Sequence, residues 1–446
     1  MNLLEFWFVQ YMIIIGYHDK EDSGMMFVNK IKLFIALMMT GFFLISCAGS
    51  SAPELAIERK SDFFWGGLES DAIYESQILG DYLLLSTDRG LAAIALNSEN
   101  PQARWLVRSR GRIFNHTLFT PTSSEIVKYF YLERHRLRFY DIEPGNGQNF
   151  PSAHLTANYS TRRYGDFLEG SLPSRMRFSP DGSLFYIARF AQVLLFYTDG
   201  SETPGDTFVI PNFINYYQVD DDFYYYRTFK RQFFSTHKLG ALDMLQREEV
   251  WRNHYGPDYQ DWDDIVDSFP IFDEEGKLFF VIRAYPHETF ENEGLLILEA
   301  LKKTTGEVLE QWEWTTQNAA GTGVPIGPVH IVDHHLVGEI HGPSRISRIN
   351  LTTSEILWTT DVEHDPLQMI YIREEQQWAV LLSNGSVIFL DEQTGKIARR
   401  VILDLEIEKF SYGRIHLMSD GNIAGHLNNI AAGIPPRSIF FYFHGE

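Results

Sequence analysis

The stretch that decides the fold is residues 378–396, which read WAVLLSNGSVIFLDEQTGK. An apolar run from 378 to 382 is followed by a turn at Asn384 and Gly385, and a second run extends from 387 to 391. An Asn-Gly pair between two such runs is a strong hairpin signal, because the primed turns need positive φ. The stretch therefore predicts two antiparallel strands joined by a tight turn.

The same order of strand, polar turn and strand recurs from residue 55 onward, often with a tryptophan after the second strand. The second strands begin near residues 91, 137, 193, 233, 295, 346, 387 and 438. A spacing of roughly 40 to 60 residues is typical of β-propeller blades with inserted loops. One blade cannot bury both of its faces, whereas blades stacked around an axis can. We therefore predict an all-β chain that forms a β-propeller of four-stranded blades, with eight blades favoured and seven as the alternative.

The last blade needs a strand from elsewhere in the chain. Its strand pair, residues 422–427 and 438–443, runs almost to Glu446 and leaves no room for an outer strand. Residues 55–63 are the predicted source of that strand. Such pairing would join the two ends of the chain in one blade and remove an open sheet edge.

Three repeats resemble the quinoprotein-like (PQQ-type) propeller repeat, in which Asp-x-x-Thr-Gly-Glu/Lys ends one strand and a tryptophan strand follows. They are residues 390–396 (LDEQTGK), 351–358 (LTTSEILW) and 303–312 (KTTGEVLEQW). Residues 179–182 (SPDG) resemble instead the turn of WD40 and YVTN propellers. The resemblance implies an architecture and no activity. The dehydrogenases of the quinoprotein family carry a vicinal disulfide beside the cofactor, and this chain has a single cysteine, so we predict no cofactor.

A leader precedes the repeats. Lys30 and Lys32 stand before an apolar run at residues 33–45, and small residues surround Cys47. A basic start, a short apolar region and a small-residue cleavage site are typical of a secretory signal, and the run is shorter than the roughly 20 residues of a spanning helix. Residues 44–49 (LISCAG) resemble the lipobox of bacterial lipoproteins. That resemblance implies cleavage before Cys47 and lipidation of its sulfur; an ordinary signal peptide or a short membrane anchor is the alternative.

The predicted organisation is a leader at 1–46, a lipidated tether at 47–54 and a propeller domain at 55–446. Residues 1–24 fit the signal badly, because acidic residues at 19, 21 and 22 interrupt their apolar run. Translation from Met25 or Met26 would leave 1–24 untranslated, and a tandem hydrophobic leader is the alternative. No run after Cys47 is long enough to span a bilayer.

The charge of the mature chain argues against one class of partner. Without residues 1–46, 35 basic and 55 acidic residues remain. A strongly acidic surface repels phosphate backbones, so we predict no nucleic-acid partner.

Several groups of polar and charged residues partly resemble known binding motifs, but none matches a motif fully. From them we predict no catalytic, metal or cofactor site. Clustered carboxylates could hold calcium, but the acidic loop lacks the glycine and glutamate that an EF-hand needs. The histidines near residue 335 fall on opposite faces of a hairpin, which favours packing over ligation. One motif begins like a zinc-protease helix without its second histidine, and three glycines have the wrong spacing for a dinucleotide loop. The acidic loop contains Asp258, Asp261, Asp263, Asp264 and Asp267, and the histidines are His330, His334, His335 and His341. The motif similar to a zinc protease is residues 287–291 (HETFE), and the three glycines are Gly321, Gly323 and Gly327.

The predicted function is that of a membrane-anchored, non-enzymatic binding or scaffold protein with a protein partner in the bacterial cell envelope. The combination of lipobox and quinoprotein-like repeats is similar to that of the propeller lipoproteins of the outer-membrane β-barrel assembly machinery, and Ala48 after the cysteine favours the outer membrane. The alternative is an enzyme or small-ligand receptor with its site in the central channel. Converging charges in the channel would favour the alternative, and an apolar patch on the rim would favour the scaffold.

Overall fold

The computed structural model describes residues 56–443, apart from stretches between strands of which the longest are 161–175, 255–263, 286–292, 318–327 and 430–436. The predicted leader, Cys47 and the tether lie outside the described residues. Every regular element within them is a β-strand, which confirms the all-β prediction. The described residues contain no helix with the length and hydropathy needed to cross a membrane.

The strands are numbered in chain order. The chain first forms β1 (Ala56–Lys60) and β2 (Phe63–Glu69). Sheets 1 to 4 contain β3 (Ile73–Leu79), β4 (Tyr82–Thr87), β5 (Gly90–Ala95) and β6 (Ala103–Arg108); β7 (Asn115–Phe119), β8 (Val127–Glu133), β9 (Arg136–Glu143) and β10 (Ser152–Ser160); β11 (Met176–Phe178), β12 (Leu184–Arg189), β13 (Gln192–Tyr197) and β14 (Gly205–Val209); and β15 (Phe213–Val219), β16 (Phe223–Phe229), β17 (Thr236–Asp243) and β18 (Glu248–His254).

The second half of the chain continues in the same way. Sheets 5 to 7 contain β19 (Asp264–Phe272), β20 (Leu278–Tyr285), β21 (Glu293–Leu301) and β22 (Val308–Gln317); β23 (Val329–Val332), β24 (His335–Gly338), β25 (Arg345–Asn350) and β26 (Ile356–Asp361); and β27 (Pro366–Ile372), β28 (Gln377–Leu382), β29 (Ser386–Asp391) and β30 (Ile397–Ile402). Sheet 8 contains β31 (Tyr412–Leu417), β32 (Ile423–Asn429) and β33 (Arg437–Phe443), with β2 and β1 added at its edge.

Each of sheets 1 to 7 is a four-stranded antiparallel meander in chain order. Local hairpins produce this order, as the deciding stretch shows: β28 and β29 are joined through Gly385, whose φ is +86°, and the Asn384 side chain accepts a hydrogen bond from the Ser386 amide at 3.0 Å. Eight sheets are present in the described part of the chain; the blade number of the whole protein stays a prediction.

The core lies between neighbouring sheets. Phe130 of sheet 2 packs with Phe185 of sheet 3, and comparable clusters join sheet 4 to 5, 5 to 6, 6 to 7 and 7 to 8. Sheet 8 then packs on sheet 1, where Phe440 meets Leu85. Because the last sheet packs on the first, the described sheets follow one another around a closed circuit, as in a propeller.

The N-terminal part of the chain completes sheet 8, as predicted, but through a different strand. β2 pairs with β33 over its full length, from Phe63 opposite Phe443 to Glu69 opposite Arg437. The predicted segment 55–63 contributes mainly β1, which pairs outside β2 as a fifth strand. The aromatic sequence of β2 favours a strand more strongly than the charged sequence of β1, and its seven residues match those of β33.

Tryptophans on the fourth strands of several sheets donate hydrogen bonds to the neighbouring sheet. The indole Nε1 of Trp251 donates to the carbonyl of Lys303 at 2.6 Å, and Trp358 donates to that of Glu392 at 2.8 Å. Each acceptor lies in the turn after the third strand of the next sheet. The tryptophans that follow the hairpins in the sequence therefore pack between sheets.

Candidate partner-binding surface

Most of the residues singled out in the sequence lie outside the described residues. These are Asp258, Asp261 and Asp263, the motif at 287–291, the glycines at 321, 323 and 327, and His341. Asp264 and Asp267 fall within β19, and the structure does not describe their side chains. Calcium binding by the acidic loop is therefore not tested.

Three of the four singled-out histidines are described, and they do not converge. His330 lies half-buried on β23 with its ring 5.6 Å from that of Trp378, and burial lowers its pKa. His334 is exposed in the turn that follows, and His335 begins β24. Burial, helped by the charge of Arg348, lowers the pKa of His335. Within the described residues no group of three or more His, Cys, Asp or Glu side chains is placed to hold a metal ion.

The first strand of each sheet faces the central channel of a propeller. On these inner strands, Glu75 of β3 contacts Arg414 of β31 and Thr117 of β7. One carboxylate oxygen of Glu75 accepts hydrogen bonds from the Thr117 hydroxyl and from the Leu118 amide, the latter at 2.6 Å. The other oxygen lies 3.9 Å from a guanidinium nitrogen of Arg414. The carboxylate therefore joins the inner strands of sheets 8, 1 and 2.

A second polar group, which we call the closure cluster, consists of Ser76, Ser86, His116, His416 and His426. The Ser76 hydroxyl is hydrogen-bonded at 2.7 Å to Nε2 of His416 and at 2.7 Å to Nδ1 of His426, and Ser86 is hydrogen-bonded to His116. Burial lowers the pKa of His116 to about 3 and that of His416 to about 4, and it also lowers the pKa of His426 well below its ordinary value. At neutral pH these imidazoles are uncharged core groups between sheets 8, 1 and 2.

Exposed apolar side chains lie on the outer strands of consecutive sheets. Val308 and Leu309 begin β22, and Ile356 and Leu357 begin β26; Leu309 and Ile356 are each 50% exposed. We call these four residues the apolar rim. Val250 on β18 and Ile397 on β30 continue it onto sheets 4 and 7.

β-Bulges produce this exposure. In sheet 5, Leu301 pairs with Val308 and Ala300 pairs with Glu310, so Leu309 is an extra residue without a partner. In sheet 6, Leu357 is likewise extra between Ile356 and Trp358. A bulge puts two residues opposite one and turns the added side chain away from the ladder. Two adjacent apolar side chains therefore face solvent where regular alternation would bury one of them.

A cleft of about 650 Å³ opens between sheets 5 and 6 beside the rim. Aromatic and acidic side chains line it, among them Phe279, Trp312, Asp273, Glu275 and Glu310. The Lys277 ammonium lies 5.2 Å from the centroid of the Phe279 ring and 4.0 Å from a carboxylate oxygen of Glu310. With three carboxylates against one ammonium, the cleft is acidic.

Sequence reasoning identified residues 303–312 and 351–358 as blade repeats and missed the surface that they form. The available signal was the pair of aliphatic residues before each tryptophan strand, Val308-Leu309 and Ile356-Leu357, which interrupts the alternation expected for a strand with one solvent face.

Comparison with known proteins shows the fold. No protein-family model matches the chain, and no curated protein sequence matches it. Among solved structures, Sqt1 of Saccharomyces cerevisiae is similar with a TM-score of 0.55 at 10% identity, over 85% of this chain and 98% of that one. The chain has the β-propeller fold.

Two further structures share the similarity. Sqt1 of Chaetomium thermophilum, solved bound to the N-terminus of the ribosomal protein L10, has a TM-score of 0.51 at 11% identity, over 87% of this chain and 96% of that one. BamB of Moraxella catarrhalis has a TM-score of 0.48 at 11% identity, over 86% of this chain and 97% of that one.

Proposed function

We propose that this chain is a lipid-anchored, non-enzymatic β-propeller that binds a protein partner in the bacterial cell envelope. The apolar rim is the observation that carries the proposal. Scattered single apolar residues are normal on a protein surface, but contiguous exposed patches mark interaction sites. The four aliphatic residues of the apolar rim lie on the last strands of two neighbouring sheets, next to a cleft, and we propose that they act as such a patch.

The described part of the channel supports this proposal over a channel-centred enzyme or ligand receptor. The carboxylate of Glu75 in the channel already accepts hydrogen bonds from Thr117 and Leu118 and lies beside the guanidinium of Arg414. Ser76 and Ser86 lie beside histidines in the manner of nucleophile and base, but both hydroxyl-bearing residues are buried. A buried nucleophile is closed to substrate, so these pairs serve the packing of the channel.

A protein ligand is consistent with what the fold can do. The Sqt1 structure from Chaetomium thermophilum holds the N-terminus of another protein, so a propeller of this size can recognise a peptide segment. At 11% identity the site does not transfer, and for this chain the apolar rim and the cleft are the surface that we propose.

The lipid anchor is proposed on Cys47. Its sulfur would carry the diacylglycerol, and its new amino group would carry a further acyl chain. One chain alone gives marginal membrane binding, whereas two or more give stable anchoring. The seven-residue linker 48–54 would then hold the domain near the bilayer. The outer membrane is the favoured location.

Lipidation is tested by labelling cells with a palmitate analogue and separating membranes from soluble proteins. We expect the wild-type protein to be labelled and membrane-bound, and Cys47→Ala to lose both properties. Ser46→Ala, which leaves the cysteine in place, is the matched control. A Cys47→Ala protein that still carries label would disprove this anchor.

Partner binding is tested by affinity purification from detergent-solubilised envelope. The full chain is compared with a Leu309→Asp/Leu357→Asp variant and with Leu155→Asp, which changes a residue of similar exposure on β10 of sheet 2. We expect one protein to co-purify in stoichiometric amount with wild type and Leu155→Asp, and to be lost from the double variant. If wild type is purified alone at native expression, the proposal is wrong.

A further inference from the structure

We propose that the partner segment is apolar and flanked by Lys or Arg, that its apolar side chains lie on the apolar rim across sheets 5 and 6, and that one basic side chain enters the cleft. This inference rests on the proposed function and specifies the partner's chemistry.

The two halves of the rim form one surface. The turn that leads into β26 is held against β22 by two indole hydrogen bonds, from Trp312 Nε1 to the carbonyl of Leu351 at 2.6 Å and from Trp314 Nε1 to that of Ser354 at 3.4 Å. Ile356 follows Ser354 by two residues. Sheets 5 and 6 are therefore in direct contact at this turn, and a segment that contacts Leu309 on sheet 5 would reach Ile356 along the edge of the cleft.

Recognition at the rim occurs through side chains. A regular sheet edge offers its unpaired backbone groups to an added strand, and sheet 8 shows this, since β1 pairs with β2 over five consecutive residue pairs without a register shift. The outer strands β22 and β26 are both bulged where the rim begins. A bulge disrupts the ladder, so an added strand pairs poorly there, and the exposed aliphatic side chains provide the contact.

The charge around the rim selects among partners. Segments 302–314 and 351–358, which carry the rim, contain four glutamates against two lysines, and Glu307, Glu310, Glu313 and Glu355 are all exposed. The cleft adds two more carboxylates and one lysine. Such a field attracts cationic groups and repels anionic lipid headgroups. It also repels a second copy of this chain, whose formal net charge is −21.

The cleft also suits one long basic side chain. Glu310 and Glu275 supply acceptors at its wall, and Trp312 and Phe279 supply aromatic surface. Arg and Lys stack their cationic heads on aromatic rings and lay their apolar stems along hydrophobic surface. Lys277 already lies over Phe279 and near Glu310, so the partner's basic side chain would stack on Trp312 and meet Glu275 at the cleft wall.

The test is photo-crosslinking of the full chain in its host cell, with p-benzoylphenylalanine in place of Leu309, Leu357 or, as the control position, Leu155. The crosslinked peptide is sequenced by mass spectrometry. We expect positions 309 and 357 to capture the same protein segment, with aliphatic residues flanked by at least two Lys or Arg, and position 155 not to capture it.

The charge argument is tested separately. In the variant that carries p-benzoylphenylalanine at position 309, the added changes Glu310→Lys and Glu355→Lys should lower the crosslinking yield about fivefold. This corresponds to a loss of about 1 kcal/mol in binding free energy. Glu125→Lys, a change at an exposed residue in the loop before β8 of sheet 2, should leave the yield unchanged. Equal thermal denaturation of the variants shows that the fold is retained. An unchanged yield in the double variant would overturn the proposed basic flank.

Other outcomes separate this inference from the proposed function. Capture of lipid, of a second copy of this chain or of an acidic segment at positions 309 and 357 would overturn the inference. If the affinity purification yields a stoichiometric partner and the rim positions capture nothing, the inference fails while the proposed function stands. If the purification yields no partner, the proposed function itself fails.

Discussion

Arg348 and Glu392 form a buried ion pair between sheets 6 and 7. The guanidinium Nη2 lies 2.8 Å from Oε1 of Glu392, and Nη1 donates to the Glu392 backbone carbonyl at 2.8 Å. The Tyr371 hydroxyl donates to the second carboxylate oxygen at 2.6 Å, and burial together with that carboxylate raises the pKa of Tyr371 to about 12. Both carboxylate oxygens are thus occupied by donors from neighbouring strands.

Loss of one partner of this pair should cost more stability than loss of both. Arg348→Met leaves a buried carboxylate without its cation, and we expect the free energy of unfolding to fall by about 3–5 kcal/mol. Arg348→Met/Glu392→Leu removes both charges and should recover a large part of that loss. Urea denaturation of the two single variants and the double variant measures the coupling. If the effects of Arg348→Met and Glu392→Leu add up to the effect of the double variant, the pair is not coupled and the prediction fails.

The closure cluster makes stability depend on pH. The folded-state pKa of His416 is about 4 because of burial and the charge of Arg414, below the ordinary value near 6.5. The unfolded chain therefore binds more protons between these values, and stability that is complete above about pH 6.5 is lost as the pH falls towards 4. At pH 5 this amounts to about 2 kcal/mol for one such histidine.

Urea denaturation at pH 7.5 and pH 5.0 checks this dependence. His416→Gln, which cannot be protonated in this range, should lose less stability between the two pH values than the wild type loses. His154→Gln, which changes an exposed histidine on β10, is the control and should behave as wild type. An identical loss in His416→Gln and wild type would contradict the assignment.

At the scale of the element, the turn after β29 shows how sheet 7 packs against the preceding sheet 6. Gly395 has a φ of +67°, and a Cβ there would lie 2.6 Å from the Trp358 indole. The carbonyl of Gly395 accepts a hydrogen bond from the Thr360 hydroxyl at 2.6 Å. Backbone conformation and close packing both require glycine at this position.

Two glycine substitutions separate these requirements. Gly421 has a φ of +82° and nothing within 4 Å of its added Cβ, so Gly421→Ala should cost only the backbone strain of about 1–3 kcal/mol. Gly395→Ala adds the clash with Trp358 and should cost more. Thermal denaturation of both variants measures the difference. Equal costs would show that the turn moves away from the indole without penalty.

At the scale of the whole molecule, β2 joins the two ends of the described chain. It is the fourth strand of sheet 8, and β1 is an addition outside it. Of the described strands, a chain that starts at residue 61 lacks only β1, and it should keep a cooperative transition close to that of the wild type. A chain that starts at residue 71 leaves the seven-residue edge of β33 open, and an open edge promotes aggregation.

Size-exclusion chromatography and thermal denaturation distinguish the two truncated chains. We expect the first to remain monomeric and the second to aggregate or to melt earlier. If the chain that starts at 71 is as monomeric and as stable as the wild type, β2 does not hold the circuit closed.

The sequence by itself determined the approximate positions of the strands and the fold class. The strand predicted near 387 begins at Ser386, and the one near 438 begins at Arg437. Turn chemistry acts over a few residues, so Asn384-Gly385 is sufficient to predict its hairpin. The lipobox resemblance at Cys47 is local in the same way and stays a prediction, since that residue lies outside the described part of the chain.

Only the tertiary structure decided what depends on distant residues. Residues 55–63 and 63–69 both suit a strand, and the choice of β2 follows from its pairing with β33 at the other end of the chain. The closure cluster brings together residues 76 and 416, which no local spacing connects. The apolar rim arises because bulges turn Leu309 and Leu357 to solvent. A bulge is a mismatch in the pairing of two strands, so the sequence of one strand does not determine it.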